Sequence, residues 1–182
     1  MALSREQAGE ELAAIDDVVR RVKQSRIYRI SGEIAMIWGV MQFVQYGVYA
    51  LAPSRFGWSW LAVDAIGIVL TALMLRRAGF ANAAGPGRAL AAFALFYGFG
   101  FVWTGLIGQF GPREMSVFWH TLFLFGYSIA GLWFGAGFMA IGLGLTAAIV
   151  AVYFFAGPAF WPAIAVVAGA GYILCGYWMR RA

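Results

Sequence analysis

Charge is scarce in this sequence: 12% of its 182 residues are Asp, Glu, Lys or Arg, 63% are hydrophobic, and mean hydropathy is +0.77. A water-soluble domain carries about twice that charged fraction. Such a chain cannot clothe itself in polar surface, so apolar side chains must face lipid. Reactive residues are scarcer still. One cysteine, Cys175, leaves no partner for an intrachain disulfide, and one histidine, His120, rules out bis-histidine haem ligation within a chain. The one lysine, Lys23, lies in the charged N-terminal segment, so no intramembrane lysine is available for a retinal-type Schiff base. Gly126-Tyr127-Ser128-Ile129-Ala130 lacks the second glycine of a nucleophile elbow, and neither a His-Glu-x-x-His nor a phosphate-binding loop is present. No cofactor, metal site or enzymatic centre is expected from this inventory.

What the sequence has in quantity is long apolar runs. They lie at about 31–52, 58–75, 89–109, 116–134, 138–156 and 161–179, each near the roughly 20 residues that cross a bilayer as a helix. Pro53, Gly57, Ala84-Gly85-Pro86-Gly87, Gly111-Pro112 and Gly157-Pro158 punctuate them. The boundary at Phe134-Gly135-Ala136-Gly137 has no polar loop. Without a turn there, an unbroken run of about 40 residues would remain, far too long for one crossing. The expected fold class is an all-α integral membrane protein, a six-span bundle over residues 31–182 preceded by a cytoplasmic amphipathic helix in residues 1–30.

The net charge of +5 reads as topology, because the basic residues flank apolar runs rather than forming a nucleic-acid patch. With the N-terminus inside, Arg5, Arg20, Arg21, Lys23, Arg26, Arg29, Arg76, Arg77, Arg88, Arg180 and Arg181 fall on the cytoplasmic side, against Arg55 and Arg113 outside. Both termini are therefore expected in the cytoplasm, with the bundle in the plasma membrane. Trp58, Trp60, Trp119 and Trp161 fall at outer span ends and Trp133 and Trp178 at inner ends, as interfacial anchors do. Trp38 and Trp103 lie deeper, as packing residues. Met1 to Arg29 lacks the apolar core of a cleavable signal, so the first span is expected to direct insertion.

Leu12, Ile15, Val19 and Val22 recur at helical spacing before the first span, with acidic and basic residues on the other faces. This stripe either packs on the bundle or headgroups, or docks a second copy or another protein. Ser31-Gly32-Glu33 reads as the turn into the membrane. Gly126-Tyr127, Gly131 and Trp133 recur as Gly171-Tyr172, Gly176 and Trp178, 45 residues later, the pattern of repeated two-helix hairpins or of chance in glycine-rich apolar sequence. The 24 glycines suit close helix approach.

Polar residues inside spans are costly and mark candidate sites. Gln42 and Gln45 lie in span one, three residues apart; Asp64 lies about 9 Å below Trp58; Gln109 ends span three; His120 lies roughly 6 Å into span four. Asp64 and His120 at similar depth, with Gln42, Gln45 and Gln109, form a candidate binding or proton-relay site. In size and span count the chain resembles small six-span substrate-capture subunits of vitamin transporters, which implies that transport is worth testing. The leading functional expectation is nonetheless a non-enzymatic accessory or regulatory subunit acting through the N-terminal helix. The alternative is a small-solute or ion carrier built around Asp64 and His120.

Overall fold

A backbone in lipid has no water to bond, so apolar runs resolve into helices whose hydrogen bonds close within the segment. The computed structural model describes residues 5–52, 56–79 and 86–181. Among them the chain is all-helical: α1 (Arg5–Leu51), α2 (Phe56–Arg77), α3 (Pro86–Phe101) continued by a π-helical turn at Val102–Ile107, α4 (Pro112–Phe134), α5 (Ala136–Phe155), and α6 (Phe160–Arg181) after a 3-10 turn at Gly157–Ala159. Pro53, Arg55 and Ala84-Gly85 lie outside the described residues, as does the side chain of Trp58.

Five helices are long and apolar enough to cross a membrane. The third expected span falls short by that measure among the described residues, where its apolar helix is Ala94–Ile107. Exposed apolar side chains jacket the bundle, including Leu61, Ile66, Val69 and Leu73 on α2 and Phe154 and Phe155 at the end of α5. Apolar exposure on that scale fits a lipid-facing surface.

Two expectations need correction. No turn occurs at Ser31-Gly32-Glu33: α1 runs unbroken for 47 residues, about 70 Å, because Gly32 is held inside a helix-helix contact. Nor does the N-terminal stripe pack on the bundle, since Leu12, Ile15, Val19 and Val22 stay 58–65% exposed. Below the stripe, α1 caps its neighbours. Gln24 Nε2 donates to the Phe134 carbonyl at 3.1 Å, and the Arg26 guanidinium donates to the Ala78 carbonyl. Both acceptors lie at helix C-terminal ends, where carbonyls lack intrahelical partners.

The centre is the antiparallel contact of α1 with α6. A Cβ on Gly32 would lie 2.5 Å from the Gly176 carbonyl oxygen, and one on Gly39 would lie 2.7 Å from that of Gly169. Backbone therefore meets backbone at two levels one heptad apart. The α4–α5 hairpin packs beside this pair, folded at Gly135, whose φ of +115° admits no ordinary side chain and whose following helix restarts at once. The boundary without a polar loop is thus a real turn. Gly131, Gly137 and Gly142 lie against neighbours as expected, whereas Gly144 faces open space. Leu124, Ile149, Phe160, Ile164 and Ala168 fill the core between α4, α5 and α6.

The other two helices sit on the flanks. Trp38 Nε1 donates to Thr71 Oγ1 at 3.1 Å, tying α2 to α1, with Gly67 under the Trp38 ring. α3 meets α4 through rings: Tyr97 and Phe101 lie 5.5 and 5.3 Å from Trp119, whose indole covers Gly100. With α2 held by α1 and α3 by α4, a cleft remains between the two pairs.

Candidate functional site

That cleft is a cavity of about 460 Å³, within the ~300–1,000 Å³ typical of small-molecule sites. One face of α1 forms a wall, from Ile27 through Ser31, Ile34, Ala35, Trp38 and Gln42 to Tyr46. Steps of three and four residues keep these side chains in line. Opposite runs α4, from Trp119 and His120 through Phe123, Gly126, Tyr127 and Ala130 to Phe134. α2 adds Trp60 and Asp64, α3 adds Phe96 and Tyr97, and Phe138 and Tyr172 close the back.

Asp64 and His120 therefore share one cavity with Gln42. No hydrogen bond or ion pair joins the acid to the imidazole among the described residues. The Tyr46 hydroxyl lies 3.3 Å from His120 Nδ1, which also sits 2.8 Å from the Ser116 carbonyl oxygen. A carbonyl only accepts, so Nδ1 carries the proton and donates to it, which in the neutral imidazole leaves Nε2 as a bare acceptor. His120 is 5% exposed, and its Nε2 is buried without a hydrogen-bond partner among the described residues. The Tyr46 and Tyr172 rings flank the imidazole at 5.5 and 6.0 Å.

Gln45 and Gln109 are not part of this wall. Gln45 is 2% exposed and both its amide atoms lack hydrogen-bond partners among the described residues. Gln109 is exposed beyond the end of the π-helical turn. The neighbour of Gln42 on the cavity face is Tyr46, four residues on, rather than Gln45, three on. Trp38, Tyr46, Trp60, Tyr97, Trp119 and Tyr172 were not singled out as site residues by sequence. Their only signal was spacing: Trp38, Gln42 and Tyr46 form an i, i+4, i+8 series on α1. Trp119 is buried at 9% exposure rather than anchored at an interface, and Trp103, expected to pack, is 42% exposed.

A second polar cluster braces the same end of the bundle. Arg113 donates through Nη2 to the Tyr153 carbonyl at 3.2 Å and lies 4.5 Å over the Phe160 ring, while the Tyr153 hydroxyl donates to Glu114 at 2.9 Å. These contacts pin α4 to α5 and α6. Among the described residues no group of three or more His, Cys, Asp or Glu side chains is placed to hold a metal ion. Comparison with family models, curated proteins and solved structures finds no match to this chain, so the cavity's role rests on its own residues.

Proposed function

We propose that this chain is a six-span plasma-membrane protein, both termini cytoplasmic, that binds a small solute inside the bundle at Asp64, His120 and Gln42 and carries it across the bilayer. The observation behind the proposal is the shared cavity. An acid and an imidazole buried in lipid at separate places are costly accidents; lining one cleft, they are a site. The loop charges support the orientation, and α3 with its π-helical turn supplies the remaining crossing. Insertion of a π turn is a frequent mark of functional segments. The matched roles of Gly131 and Gly176 in close helix contacts, and of Trp133 and Trp178 on the exposed surface, support an origin by hairpin duplication.

The test is a thermal-stability screen of the purified chain against water-soluble solutes. A solute that stabilises the wild-type protein should lose its effect on Asp64→Asn, with the unliganded unfolding midpoint little changed. Undiminished stabilisation of Asp64→Asn by every such solute would reject the site.

A second reading is favoured by the exposed stripe of Leu12, Ile15, Val19 and Val22 on a helix rigidly continuous with a span. On that reading the chain is a non-enzymatic accessory or regulatory subunit, and the stripe docks another protein or a second copy in the cytoplasm. Removing the residues before Ser25 should then abolish partner capture while membrane insertion persists. Capture that survives the truncation would sink this reading, and cleavage of the segment by protease added to intact cells would overturn its cytoplasmic placement.

A further inference from the structure

The cavity changes chemistry along its length. Two contacts set the register of α1 against α4: Tyr46 lies beside His120 at one end, and Gln24 reaches the Phe134 carbonyl at the other. Trp38 bonded to Thr71 and Tyr97 set against Trp119 put α2 and α3 on the same scale, so Gln42, Tyr46, Asp64, Tyr97 and His120 crowd one end of the space. Ile27, Ile34 and Ala35 face the level of Ala130, Phe134 and Phe138 at the other. From Trp38 back to Ile27 the helix rises about 16 Å. Along this arm the polar side chains on the wall are Ser31 and Tyr127.

The polar end has a definite sign. Asp64 is the one carboxylate among the described lining residues, and no arginine or lysine stands among them. Trp38, Trp60, Trp119, Tyr46 and Tyr97 line the same cavity. A carboxylate in a cavity lined by aromatic rings, with no arginine or lysine among the described lining residues, suits an organic ammonium group. An anionic head would meet Asp64 without a counter-charge. A hard metal ion would need more oxygen ligands than one carboxylate and the Gln42 amide supply.

We infer that the ligand of this cavity is an amphiphilic organic cation, its ammonium head at Asp64 among the aromatic rings and its apolar tail laid along the arm toward Phe134 and Phe138. This rests on the reading of the cavity as a binding site and adds the class of molecule that fills it.

The experiment uses the full-length chain in phosphatidylcholine nanodiscs, with empty discs as the reference for simple partitioning. Decyltrimethylammonium, tetramethylammonium and decyl sulfate are titrated while tryptophan fluorescence is read. Decyltrimethylammonium should bind saturably and about tenfold or more tighter than tetramethylammonium, since its tail buries apolar surface. Decyl sulfate should show no saturable binding. Asp64→Asn should weaken the long cation about tenfold or more, and Asp64→Glu should recover part of that loss. Trp60→Leu, which removes a π face and no charge, gives a second reading of the head site and should weaken both cations about threefold. Ala130→Phe and Ile34→Trp fill the arm from opposite walls, and either should erase the long-chain advantage while leaving tetramethylammonium binding in place.

Decyl sulfate binding as well as the cation would overturn the sign of the ligand, and equal affinity for the two cations would overturn the tail arm. Unweakened binding of the long cation to both head-site variants would place it elsewhere and end the inference. If no cation binds saturably while a stabilising solute still depends on Asp64, the amphiphile inference fails and the solute site stands. If no solute depends on Asp64 either, both fail.

Discussion

Replacing Gly32 or Gly176 with leucine should cost the protein on the order of 3 kcal/mol, read as a fall of about 6–12 °C in the unfolding midpoint. The atom nearest a Cβ at Gly32 is the backbone oxygen of Gly176, and the reverse holds for Gly176. A crowded side chain can change rotamer; a helix backbone can yield only by moving the helix. α1 and α6 must then separate, and they are the pair on which α2, α5 and the cavity wall are hung. In lipid no hydrophobic drive compensates for looser packing, because the helices lose close contacts and gain only lipid ones. Gly47→Ala and Gly98→Ala are the controls, since a Cβ at either position meets nothing within 4 Å among the described residues. Both should be neutral or stabilising by up to about 1 kcal/mol, as glycine in a helix interior costs roughly that much relative to alanine. Equal destabilisation at all four positions would show that the α1–α6 contact is not what the glycines serve.

The second large effect has the opposite sign. Gln45→Met should raise stability by about 2 kcal/mol, or roughly 4–8 °C, with the carbon count of the side chain kept. Gln45 is 2% exposed, and neither its amide nitrogen nor its amide oxygen has a hydrogen-bond partner among the described residues. A buried amide left unpaired carries a desolvation penalty of about 1–3 kcal/mol, and a thioether of similar length does not. A fall in the unfolding midpoint of Gln45→Met would show that the amide is hydrogen-bonded in the protein in its bilayer. Stability gained together with solute stabilisation lost would mark Gln45 as a group held unsatisfied for the ligand-bound state.

Depth in the bundle was legible from sequence, and direction around each helix was not. The breaks at Gly111-Pro112, Gly135 and Gly157-Pro158 fall where glycine and proline stop a helix for local reasons, and the helices between them have the expected bounds. Asp64 and His120 were marked because an ionisable group in an apolar run stands out in any fold. Gln45 was grouped with Gln42 because three-residue spacing keeps side chains on the same half of a helix. Whether the edge of that half meets a cavity or a packed core depends on the neighbouring helix, which local spacing does not contain. The same gap explains Trp119: a tryptophan near a span end looks like an interfacial anchor until α3 lays Tyr97 and Phe101 against it.

The sequence by itself determined that this chain is built of long apolar helices, where the breaks at Gly111-Pro112, Gly135 and Gly157-Pro158 fall, and which few groups are chemically out of place in them, since those properties follow from local segments. Tertiary structure alone decided that α1 continues straight through Ser31–Glu33, that α2 and α3 hang on opposite partners, and that the gap between them gathers Gln42, Asp64 and His120 around one cavity. Those outcomes hang on how closely two backbones can approach, at Gly32 against Gly176 and Gly39 against Gly169, and a distance between segments remote in sequence is a property of the pair.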